Sequence, residues 1–209
     1  MSTYVYIPRR IFACIKAGMR YAERERRLKC QRVYISLSGC LVDLYFSDNH
    51  HASRISTINK TPVNRPVSFA FSLDALDRIL KIEKLYELSL LVGNGTLDGI
   101  FAVGTKSRTI PTDKLGVGLI DFTLDDVPSA FKRFADKPAA RVWMTEPVKM
   151  SPEYVALIGS MFDKLGIPVM AFVHAEKRST SGNYECTFEG FDNFGWQIRT
   201  TVIARTVQD

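Results

Sequence analysis

The chain has 209 residues, room for one large domain or two small ones, and its 46% hydrophobic and 24% charged content suits a globular protein with a buried core. A formal charge of +6 permits an anionic partner such as nucleic acid but does not require one. No apolar run reaches the roughly 18 residues a membrane helix needs, and Pro8, Arg9, Arg10 and Lys16 interrupt the N-terminal stretch, which excludes a signal peptide and points to a cytoplasmic protein without a membrane partner.

A short β-type run followed by a helix start recurs four times. The first is Thr3 to Ile7, then Pro8 as a first-turn proline, with a helix expected from Arg9 to Lys29. Strands are expected next over Arg32 to Leu37, Cys40 to Phe46 and Ala52 to Asn59, with Ser38-Gly39 as a hairpin turn between the first two. The second unit opens with Val67 to Phe71. Ser72 is placed to cap the helix LDALDRILKI, and Asp74 suits its positive end. Strands over Glu87 to Val92, Leu97 to Val103 and Lys106 to Ile110 follow.

The third unit reads as Leu119 to Phe122 and a helix with Pro128 in its first turn, but only Ala140 to Met144 follows as a strand. The fourth reads as Val148 to Met150, then Ser151 as N-cap, Pro152 at the first helical position and Gly166 as the terminating glycine. Strands over Pro168 to Ala175, Tyr184 to Glu189 and Gly195 to Thr206 close the chain, and a polar loop over Glu176 to Asn183 joins the first two.

Three strands between successive helices argue against an alternating parallel α/β fold. The expected class is α+β: repeated β-α-β-β-β units, antiparallel sheets and helices on one face. The turn-rich stretch from Pro111 to Gly118 predicts a boundary, with one domain over 1–112 and a smaller, partly truncated one over 113–209.

Projected at ~100° per residue, the first helix places Ile11, Cys14, Ile15, Gly18, Met19 and Ala22 on one face. Arg9, Lys16, Arg20 and Arg27 fall opposite, with Arg24 beside them. Glu23 and Glu25 are spaced to pair with Arg27 and Lys29, as on an ordinary solvated face. Arg78 and Lys81 lie on the second helix, Lys132 and Arg133 on the third, and Lys164 on the fourth. If the helices share a face, these cations sum into one surface for phosphates, without base readout.

No catalytic constellation is found, and neither a metal nor another cofactor is expected. His50-His51 with Asp43 and Asp48 matches no familiar metal spacing, and His174 stands alone. Gly93-Asn94-Gly95-Thr96 lacks the GK[ST] of a phosphate loop, and Gly159-Ser160 lacks a nucleophile elbow. Cys14, Cys30, Cys40 and Cys186 contain no CxxC pair and read as buried or free thiols in a reducing compartment. Phe188, Phe191, Phe194 and Trp196 read as hairpin packing, part of which suits partner docking.

The runs VYISLSGCLVDLYFSDNHHASRI, VSFAFSLDALDRILK and ELSLLVGNGTLDGIFAVGTKSRTIPT, with the tail YECTFEGFDNFGWQIRTTVIART, resemble the strand, helix and hairpin plan of DNA sliding clamps, in a diverged viral or plasmid form. The resemblance implies a non-enzymatic homo-oligomeric ring around double-stranded DNA. It would act as a processivity or tethering factor for a DNA polymerase or other replication protein. Matched by helix position, the lining would be Lys16, Arg20, Arg24, Arg27, Arg78, Lys81, Lys132, Arg133 and Lys164. The alternative is a mobile-element or phage interaction protein that binds and inhibits a host factor, without DNA binding or catalysis.

Overall fold

The computed structural model describes residues 3–20, 32–48, 51–81, 85–92, 97–103, 120–121, 148–168, 170–177 and 183–206. In chain order the elements are β1 (Thr3–Pro8), α1 (Arg9–Gly18), β2 (Arg32–Ser47), β3 (His51–Ser72), α2 (Leu73–Lys81), β4 (Leu85–Val92), β5 (Leu97–Val103), β6 (Ile120–Asp121), β7 (Val148–Lys149), α3 (Pro152–Leu165), β8 (Ala171–Lys177), β9 (Asn183–Phe191) and β10 (Gln197–Thr206). Every strand pairing among these residues is antiparallel, as the hairpin-rich pattern predicts. One sheet has the order β1-β4-β5. The other runs β2-β3-β10-β9-β8, with β6 added to β3 and β7 to β10.

The Ser38-Gly39 hairpin turn is not formed. β2 runs straight through it and pairs with β3 at both ends, from Arg32↔Ser72 to Ser47↔Ala52, with register shifts on either side of Gly39. The pairing passes from Leu37↔Val67 to Leu41↔Ile58, so β3 carries the longer stretch here, and Gly39 on β2 has a φ of +55° that suits glycine. The shift also switches the side-chain alternation. Val33, Ile35 and Leu37 are buried before it; Val42, Leu44 and Phe46 are buried after it. Odd positions face the core on one side of Gly39 and even positions on the other. Without this shift, half the strand would turn its apolar side chains outward.

The described helices start and stop near where their residues predict, with three departures. α2 begins after Ser72, whose Oγ accepts the Ala75 N–H at 3.2 Å, and buries Leu73, Ala75, Leu76 and Ile79. α3 ends at Gly166 (φ 72°) with Ile167 N–H bonded to Phe162 O at 3.0 Å, but Ser151 makes no side-chain cap. α1 buries Ile11, Phe12, Cys14, Ile15 and Gly18. Pro8 is its N-cap rather than its first helical residue, and the helix ends at Gly18 with Met19 as C-cap, short of the expected Lys29. Residues 21–31 lie outside the described residues, as do the expected third helix, the strands over 106–110 and 140–144, the 93–96 turn and the 111–118 boundary stretch.

One core joins both ends of the chain. β1, α1, β2, β3 and α2 contribute Ile7, Phe12, Leu44, Phe71 and Leu76; α3 and β10 contribute Met161, Phe162 and Ile198. The Phe12 and Phe71 rings meet at 6.3 Å. β3 pairs with β10 from His51↔Val202 to Ser56↔Gln197, so the main sheet is continuous between residues of the first unit and the last. Buried Ser53 and Thr200 share a 3.0 Å hydrogen bond across this seam.

Candidate nucleic-acid interface

α1 packs against α3 and, to a lesser extent, α2. α1 comes close to α3 at Gly18, where an added Cβ would collide with Phe46 and meet the Met161 sulfur at 3.0 Å. On the outward side of the same helix pair, small residues leave a groove of about 340 Å³ lined by Ala13, Ala17, Ala156 and Ser160. Lys16, Arg20, Leu157 and Lys164 complete its walls. Three cations expected to line a common surface are therefore brought together from residues 16, 20 and 164.

Each of the three sits differently. Lys16 is half-buried, and its ammonium lies 3.0 Å from Asp77 Oδ1 and 3.2 Å from Oδ2 on α2. Arg20 is exposed, but it stands in the turn after α1 rather than on the helix. Lys164, in the last turn of α3, is 4.0 Å from Asp163, a contact between two exposed groups that holds neither firmly. A last-turn lysine also complements the negative end of its helix.

Arg78 and Lys81 are exposed on the last turn of α2 and take no part in the groove lining. Arg24, Arg27, Lys132 and Arg133 lie outside the described residues. Arg9, on the projected basic face, instead donates to the Leu80 carbonyl at 2.6 Å and ties the start of α1 to the end of α2. The projection did not find Asp77 as the partner of Lys16, because the spacing on α2 points Asp77 towards Lys81. The Ala13 and Ala17 pair, one turn apart, was the available signal for a shallow groove.

The acidic residues considered for metal binding are occupied in pairs. Asp43 accepts Arg54 through both oxygens, at 2.7 and 3.1 Å. Asp48 Oδ1 lies 2.5 Å from His51 Nδ1, with both side chains fully buried, and also accepts the His51 N–H at 3.0 Å. Burial and the Asp43 carboxylate push the Tyr45 hydroxyl up to about 12. Glu189 receives Arg199 and, at 3.2 Å, Gln197. Among the described residues no helix is long and apolar enough to cross a membrane.

No protein-family model matches the sequence, and no curated protein matches it. Solved structures do. The DNA polymerase III subunit beta from Pseudomonas aeruginosa is 12% identical with a TM-score of 0.54, the match covering 98% of this chain and 67% of that one. The DNA polymerase III beta subunit from Thermotoga maritima is 7% identical with a TM-score of 0.52, covering 100% and 65%. The DNA polymerase sliding clamp from Bacillus subtilis is 11% identical with a TM-score of 0.45, covering 98% and 50%. The chain thus spans between half and two thirds of the length of these proteins. At such identities the likeness concerns the fold alone: antiparallel sheets backed by helices on one face, in the arrangement of the bacterial DNA polymerase III beta subunits.

Proposed function

We propose that this chain is a clamp-like protein that binds double-stranded DNA through its phosphates, without sequence preference and without catalysis. It acts as a processivity or tethering factor for a polymerase or other replication protein, and it works as a homo-oligomer. The observation that carries this reading is the α1–α3 groove, where Lys16, Arg20 and Lys164 converge on the helix side of a clamp fold. Long flexible cations over small residues suit a smooth phosphate backbone and provide no fixed donors for base edges. We further propose that it is a diverged viral or plasmid type working in the cytoplasm; the identities of 12% and 7% to the solved structures support divergence alone. We also propose that the division between 1–112 and 113–209 is one of construction, the parts being held together by β3–β10 pairing and α1–α3 packing.

A second reading has one observation in its favour. Phe191, the last residue of β9, and Phe194, in the β9–β10 turn, are 63% and 75% exposed, which suits a protein partner. A host-factor inhibitor built on that turn would have no affinity for DNA.

Light scattering with and without a closed circular duplex separates the two. A tethering factor gives a defined homo-oligomer that is retained on the circle and released when the circle is cut. A monomer or dimer that ignores DNA overturns the clamp reading in favour of the second.

A further inference from the structure

We infer that Asp77 is a built-in competitor for Lys16, holding the ammonium until a phosphate displaces it and thereby setting the affinity and salt sensitivity of the helix face. The inference rests on the DNA-binding reading above and adds to it an acidic residue that regulates the same groove.

Lys16 belongs to two environments at once. It lines the α1–α3 groove with Arg20 and Lys164, and it contacts both Asp77 oxygens, at 3.0 and 3.2 Å. Helix spacing offers Asp77 a different partner, since Lys81 follows it by four positions on α2. The fold sends the carboxylate across to α1 instead. Arg9, bonded to Leu80 O at 2.6 Å, clamps the two helices together, so the placement of Asp77 against Lys16 follows from helix packing.

A phosphate oxygen and a carboxylate oxygen are equivalent acceptors for an ammonium, which has three donors on a flexible stem. The side chains of Lys16 and Asp77 retain 31% and 40% exposure, so exchange needs no unfolding. The exchange leaves Asp77 uncompensated. A phosphate neutralised by a lysine releases about 0.9 of a cation from duplex DNA, whereas breaking the Lys16–Asp77 pair is a cost that shrinks as salt screens the pair. Lys16 therefore contributes less to the salt dependence than a lysine held in no such pair would.

The test is fluorescence anisotropy with a labelled random-sequence duplex across a salt series. Asp77→Asn should bind about two- to five-fold tighter, the range that exposed ion pairs are worth. Its log–log salt slope should steepen, by less than the roughly 0.9 that one full phosphate contact contributes. In a Lys16→Gln background the same substitution should change neither quantity. Glu153→Gln removes one negative charge from the exposed first turn of α3 and should leave the slope unchanged. Circular dichroism confirms that each variant is folded. If wild type binds and Asp77→Asn matches it, or acts equally without Lys16, the competitor role is wrong while the groove stands. If folded wild type does not bind the duplex at low salt, the DNA reading fails and the role of Asp77 fails with it.

Discussion

Arg10, in the first turn of α1, donates to Asp192 in the β9–β10 turn at 2.7 Å, across 182 positions of sequence. The Asp192 side chain is only 2% exposed and also accepts the N–H groups of Phe194 and Trp196, each at 2.8 Å. The Arg10 guanidinium lies over the Phe194 ring, 4.4 Å from its centroid. One carboxylate therefore shapes the turn and fastens it to the helix that carries Lys16.

Removing that carboxylate leaves two backbone donors and a part-buried cation uncompensated. Asp192→Ala should destabilise the fold by about 2–4 kcal/mol. Asp192→Asn, which keeps an acceptor but loses the charge, should cost less. Chemical denaturation of the three proteins checks both the size and the order.

Gly190 is where α3 presses on β9. A Cβ there would lie 2.6 Å from Phe162 Cε1 and 2.8 Å from Ile167 Cγ2. Gly190→Ala should cost about 1–3 kcal/mol through overpacking. Gly159→Ala, at an exposed helical position with nothing within 4 Å, should be neutral or slightly stabilising. Thermal melts of the two variants should move in opposite directions or differ by several degrees.

A specific protease site inserted after Thr112 should allow the chain to be cut without separating its parts. The seam from His51↔Val202 to Ser56↔Gln197 and the shared core account for this. Size-exclusion chromatography after cleavage should return both fragments in one peak, and separate peaks would show that the seam does not hold.

Burial raises the Cys186 thiol from 9.0 to about 11 and pushes Cys14 higher still. These groups are neutral in the folded chain at pH values where an unfolded chain has already ionised them. Stability is thus fully present below pH 9.0 and declines as pH rises through about 11. Denaturation midpoints between pH 8 and 11 should fall, and Cys186→Ala should flatten the decline. In mass-spectrometric alkylation at pH 8, Cys186 should be protected until the protein unfolds.

Local chemistry made much of the fold legible. Ser72 and Gly166 mark helix ends through capping and left-handed backbone, and both act as their residue types predict. The stripe of α1 is correct wherever it is described, because burial at helical spacing is a local pattern. Ser38-Gly39 was misread because a glycine in a strand serves a register shift as well as a turn; the switch from odd to even buried positions separates the two. α1 closes at Gly18 with Met19 as its C-cap, which the run of charged residues after it did not reveal because helix propensity carries no tertiary information.

The groove was half legible. Its cations could be read one helix at a time, but their meeting depends on α1 packing against α3, a contact between residues more than 130 positions apart. The Lys16–Asp77 pair depends likewise on tertiary packing, which overrides the nearer Lys81.

The most direct measurement is the affinity of a random-sequence duplex for wild type and for the Lys16→Glu, Arg20→Glu, Lys164→Glu variant at about 50 mM salt, where phosphate contacts are strongest. Wild type should bind with a steep salt dependence, and the variant should lose binding while its circular dichroism and melting are retained. Equal binding by the two folded proteins would contradict the assignment of the α1–α3 groove to DNA.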